Sequence, residues 1–150
     1  MTPFESLIAE FAKATGLPLE VDERDACSLE TEGLVVTLQH LRERDAVALF
    51  APVTEPGEDL PPETLRSALA LACHGEGTRG NYLGLFEGTL LLSGFVPFGG
   101  LAADALAERV LAFADAALAV RAALSAPAAA PASAPGASLG EPFAGNFVSV

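Results

Sequence analysis

Four side chains have the chemistry of a nucleophile, a general base or a soft metal ligand: Cys27, Cys73, His40 and His74. A thiolate–imidazole pair meets in space rather than in sequence, so spacing leaves that pairing open, and nothing local supports it. A zinc centre draws three or four ligands from patterns such as C-x-x-C or H-E-x-x-H, and neither pattern is present. Cys73 and His74 are neighbours, which on a helix points them about 100° apart and makes shared ligation awkward. We therefore assign no catalytic residue and expect neither a metal nor a cofactor. Two cysteines are too few for a disulfide framework, and each sits in an apolar pattern, so both are expected to be buried, reduced and structural.

The run GEGTRG, Gly75–Gly80, has the glycine content of a phosphate loop. Such loops lie between a strand and the start of a helix, where backbone N–H groups converge on the anion. Here the glycines follow a helical pattern and precede a strand pattern, so the helix dipole has the wrong sign and a helix cap with a connecting turn is the expected role. The acidic pairs Glu43/Asp45 and Glu58/Asp59 fall in turns, where carboxylates are ordinarily solvated.

The 150 residues suffice for one domain with its own core. Mean hydropathy is positive, yet every apolar run is cut by a charge, Gly or Pro well short of the ~20 residues of a spanning helix. The N-terminal stretch carries Glu5 and Glu10 and no basic leader, so no signal peptide is expected and the cytoplasm is the expected compartment. Twenty acidic residues against eight basic ones give a net charge of −12. That balance repels nucleic acid and anionic membrane, so neither is expected as a partner.

Thr2, Pro3 and Glu5 form a capping-box start, with Phe4, Leu7, Ile8 and Phe11 on one face and Gly16 as the stop, which predicts a helix over 3–15. Alternation in ACSLETE and LVVTLQHL predicts a hairpin broken at Gly33, and AVALFAPV a third strand ended by Pro52, the three forming an antiparallel meander. A second helix from Glu63 carries Leu65, Ala68, Leu69 and Ala72 on one stripe, widened by Leu71 and Cys73. NYLGLF and TLLLSGFVPF read as a second hairpin turning at Glu87–Gly88. In its second strand Leu90, Leu92 and Val96 face one way and Leu91 and Phe95 the other, so both faces need covering. A third helix after Gly99–Gly100 has its seam at Leu106, Val110, Phe113, Ala117, Val120 and Leu124, and Leu111 and Leu118 extend the apolar surface beyond it. From Ser125 the composition turns to Ala, Pro and Ser, an expected flexible tail over 125–150, with Phe143, Phe147, Val148 and Val150 near its end.

The stretches FESLIAEFAKATGLPL, CSLETEGLVVTL, LGLFEGTLLLSGFVPF and LAERVLAFADAALAVRAAL, in this element order and with this acidity, resemble the class I type III secretion chaperones, the Tir-chaperone-like or CesT-like family. The match covers about 1–124, taken as one chaperone-like domain. The resemblance implies an α+β fold, an α-β-β-β-α-β-β-α two-layer sandwich with a twisted antiparallel sheet packed by helices. It implies a homodimer in the bacterial cytoplasm, with Leu65, Leu69, Leu71, Cys73, Leu83 and Leu85 as interface candidates. It further implies an ATP-independent chaperone that keeps the N-terminal chaperone-binding segment of a secreted effector extended, soluble and secretion-competent, with components of the secretion apparatus as further partners. The effector-binding candidates are Leu7, Phe11, Leu29, Val35 and Thr37, where core packing is the competing role for Phe11 and Leu29. A regulatory or scaffolding module of the same fold, with the apolar tail as its own ligand, is the alternative. A small enzyme using Cys73 or His74 is the reading from a third class.

Overall fold

The computed structural model describes residues 1–57 and 59–125. Helix α1 spans Pro3–Thr15, and the expected capping box is complete: the Thr2 hydroxyl accepts from the Glu5 amide and the Glu5 carboxylate accepts from the Thr2 amide. Gly16, at φ 72°, takes the left-handed conformation that closes the helix. Four apolar side chains, Phe4, Leu7, Ile8 and Phe11, are buried on one face.

Strands β1 (Ala26–Thr31) and β2 (Leu34–Leu41) form a hairpin across Glu32 and Gly33, both at positive φ (50° and 74°). Two such residues make a turn whose twist matches that of paired strands. A 3-10 turn, Arg42–Arg44, leads to β3 (Ala46–Pro52). After α2 (Pro62–Ala72), β4 (Tyr82–Phe86) and β5 (Thr89–Pro97) form a second hairpin over Glu87 and Gly88, again both at positive φ (49° and 79°). Helix α3, Ala103–Ser125, ends the described part. All pairings are antiparallel, and the sheet order is β1-β2-β3-β5-β4. The second hairpin thus enters with β5 inside against β3 and leaves β4 at the edge. The architecture is the α+β sandwich that the resemblance implies.

The registers Leu29↔Val36, Leu38↔Leu49, Leu49↔Gly94 and Leu83↔Leu92 put these residues on one face of the sheet. Helices α1 and α3 pack against each other and cover that face. The core there is built from Phe4, Ile8, Phe11, Leu34, Val36, Leu38, Val47, Leu49, Leu92, Leu106 and Val120, each nearly or wholly buried. His40 extends this face at one end, stacked on Phe4 and against Phe98, with ring centroids 5.3 and 4.3 Å away. Arg121 of α3 donates to the carbonyls of Gly33 and Glu32 at 3.1 and 3.2 Å, which ties the helix end to the first hairpin turn.

One expectation is corrected. Cys27 is buried, but Cys73 is exposed. Helix α2 ends at Ala72, and Cys73 leaves it in an extended conformation (φ −62°, ψ 124°), so the helical period that placed the thiol on the apolar stripe stops one residue too early. The 125–150 tail lies outside the described residues from 126 onward.

Candidate functional site

The four side chains with catalytic potential stand in different surroundings: Cys27 is buried in β1, His40 stacks on Phe4 at the end of β2, and Cys73 and His74 follow α2. Burial pushes the Cys27 thiol up to about 11, with the Asp22 charge adding to the shift, so at neutral pH it stays protonated, the opposite of what a nucleophile needs. Among the described residues no group of three or more His, Cys, Asp or Glu side chains is placed to hold a metal ion. The GEGTRG segment spends its polar groups on itself. The amides of Arg79, Gly80 and Asn81 donate to the carbonyls of Glu76, Gly75 and Thr78. The buried Thr78 hydroxyl donates to the Asn81 carbonyl at 2.7 Å, and Asn81 Nδ2 returns a bond to the Thr78 carbonyl at 2.9 Å. These bonds fold the segment back on itself as the turn between α2 and β4 that its position implies.

What the fold leaves open is apolar surface, in three places. The first is a groove of about 270 Å³ between α2, β4 and β5, whose walls include Leu65, Leu69, Leu83 and Leu85. Leu65, Leu71 and Leu83 are half-buried against the core, whereas Leu69 is 74% and Leu85 59% exposed. Here α2 buries only Ala68. Its broad apolar arc is thus largely unspent within one chain.

The second is a groove of about 190 Å³ where α1, β1 and α3 meet, lined by Phe11, Leu17, Leu29, Val110, Leu111 and Ala114 among others. Phe11 and Leu29 form a floor that is itself core, while Leu111 on the rim is 65% exposed. The groove runs along a strand edge that is free among the described residues, where β1 has a neighbour on one side only.

The third is the face of the sheet that no helix covers. Tyr82, Phe86, Val35 and Phe95 are exposed on it, and the Tyr82 and Phe95 rings meet edge to face at 5.8 Å. Phe50 and Leu91 lie half-buried between them. Thr37 also points to this side, its hydroxyl 2.9 Å from that of Ser28.

Of the six interface candidates, Leu65, Leu69, Leu83 and Leu85 therefore line one groove, while Leu71 lies in the last turn of α2 and Cys73 just beyond its end. The five effector-binding candidates are not brought together. Leu7 is in the core, Phe11 and Leu29 floor the α1–β1–α3 groove, and Val35 and Thr37 stand on the opposite side of the sheet. Tyr82 and Phe86 escaped the sequence reading. Tyr82-Leu83-Gly84-Leu85-Phe86 is apolar or small at every position, so the strand carries no polar alternation to say which side is wet, and only its register against β5 separates the two faces.

Residues 6–121 match the pattern of the Tir chaperone protein (CesT) family. The chain belongs to that family. It is a family of type III secretion chaperones, which agrees with a molecule that exposes apolar grooves. No curated protein sequence matches the chain. Among solved structures, a chain of the HopA1–SchA chaperone–effector complex is 22% identical, with a TM-score of 0.64, over 79% of this chain and 92% of that one. A chain of the ExsC–ExsE complex is 27% identical at a TM-score of 0.64, over 75% and 86% respectively. A chain of the ExoT–SpcS complex from Pseudomonas aeruginosa is 20% identical at 0.54, over 79% and 97%. The CesT fold thus accounts for nearly all of the described residues.

Proposed function

We propose that this protein is a chaperone of the bacterial cytoplasm that binds the N-terminal segment of a type III secreted effector and keeps it extended, soluble and secretion-competent without ATP. The observation that carries this reading is the groove beside β1, where apolar side chains lie together with a strand edge that no described residue pairs. An extended client needs both: main-chain pairing supplies affinity independent of sequence, and pockets for alternate side chains supply selection. Family membership supports the same reading, as does likeness to a chaperone–effector complex. No helix among the described residues is long and apolar enough to cross a membrane. The domain that does this work is residues 1–124.

The working form is a homodimer, joined through the α2–β4 groove with Leu65, Leu69, Leu71, Cys73, Leu83 and Leu85 at or near the contact. An exposed Leu69 on a helix whose apolar arc is only partly covered by the described residues, beside an exposed Leu85, supports this assignment. The test is co-expression with the product of a neighbouring gene, with and without that product's N-terminal segment. Co-purification of the intact product and its loss on deletion of the segment is the expected result, and retained binding after the deletion contradicts the mechanism.

A further inference from the structure

Among the described residues the edge of β1 is open over a definite length. The Ala26 amide donates to Asp22 Oδ1 at 2.9 Å and its carbonyl accepts from the Asp22 amide at 2.8 Å, so the backbone of Ala26 points away from β2 and is already occupied. The Asp25 carbonyl accepts from the His40 amide and points the other way. Backbone groups alternate along an antiparallel strand, so the N–H and C=O groups of Ser28 and Glu30 face outward at the free edge. Exposed edges of this kind are templates for a further strand. A strand laid there would project every second side chain over the groove that Leu17, Leu29 and Leu111 line.

The chain continues past Ser125 with a segment of matching character. Residues 126–150 contain one charged side chain, Glu141, whereas 1–125 carry the other nineteen acidic residues. Two of the nine phenylalanines lie in it, Phe143 and Phe147, four apart with Gly145 between them. In an extended segment all three positions share one face, so both rings would be presented to the same side. Distance also fits. With a rise of about 1.5 Å per residue, Ser125 stands roughly 16–27 Å along α3 from the groove residues Ala114 to Ala107. A polypeptide as long as 126–142, without regular structure, averages about 20–25 Å end to end. Reach and span coincide, the condition under which a tethered ligand has its highest local concentration.

We infer that residues 143–150 add to the free edge of β1 as a strand, with Phe143 and Phe147 in the α1–β1–α3 groove of their own chain. The occupant is this segment and its ligand chemistry is an uncharged, aromatic, extended peptide. Near-neutrality matters here, because a more acidic segment would be repelled by the acidic body. That a client must displace this segment rests on the function proposed above; the docking itself does not.

The test is amide hydrogen exchange resolved at Ser28 and Glu30 by NMR, on the protein alone, so that it stands or falls independently of any client. In the full chain these two amides exchange at least tenfold more slowly than in a chain ended after Ser125. The full-length double variant Phe143→Asp/Phe147→Asp and the groove variant Leu111→Glu both lose that protection while their thermal melts stay unchanged. Equal exchange in the full and shortened chains, or protection that survives the shortening, overturns the inference. Slow exchange appearing on labelled shortened chain mixed with unlabelled full chain also overturns it, since the occupant is then a second copy's segment.

Discussion

Cys27 and Cys73 carry the same thiol into opposite surroundings, and their reactivity should divide accordingly. In the native protein a disulfide reagent at pH 8 modifies Cys73 readily and reaches Cys27 only on unfolding; equal rates would contradict the structure. The raised Cys27 thiol also has a pH signature. Its folded value of about 11 exceeds the ordinary 9.0, so the protonated form is favoured by the fold. The stability this contributes is complete below about pH 9 and lost as pH rises from there through 11. Urea midpoints across that window fall for the native chain, and the fall is smaller for Cys27→Val. Thr78 is a different case: it is fully buried in a loop that looked like mere connection. Thr78→Val leaves the Asn81 carbonyl without its donor and costs about 1–2 kcal/mol in urea unfolding. Gly77 is equally committed, since a Cβ there would stand 2.7 Å from the Leu71 carbonyl oxygen.

Among the elements, substitutions on the two sides of an apolar stripe should differ in kind. Leu92 is wholly buried in a central strand, and Leu92→Ala costs about 2–5 kcal/mol of stability. Leu69→Asp and Leu85→Asp alter exposed positions, so thermal melts at low protein concentration change little, while the proposed dimer is expected to dissociate by light scattering. An undisturbed dimer would remove the α2–β4 groove from the interface. These same elements mark how far the sequence could be read. Helix α1 was legible to the residue because its start and stop signals are local: a capping box and a glycine at positive φ. Both hairpins were legible because acidic-Gly pairs interrupt strand-length runs, alternating in the first hairpin and apolar in the second. The insertion of β5 next to β3 was not legible, since strand order depends on contacts between segments distant in sequence. Helix α2 showed the opposite difficulty. Its spacing revealed an apolar arc but not whether the arc faces its own core or another chain, because a helical period is the same in either case.

For the whole molecule, the apolar surfaces and the charge work together. A net charge of −12 keeps apart molecules that would otherwise associate through exposed leucines and aromatics, and it leaves specific pairing to grooves of defined shape. The two grooves lie on the helix-covered face of the sheet, one at its β1 edge and one at its β4 edge, so the apolar openings stand at opposite ends of the strand order. Of the effector-binding candidates, Phe11 and Leu29 floor a groove whereas Val35 and Thr37 belong to the uncovered side, a separation the sequence did not show because it depends on which face the helices choose. The most direct measurement of the chaperone account is the mass, by light scattering, of this protein mixed with the N-terminal segment of its neighbouring gene's product. The account predicts a complex containing two copies of the 15.3 kDa chain and the client segment. A solitary chain at micromolar concentration, with the client segment eluting unbound, would contradict it.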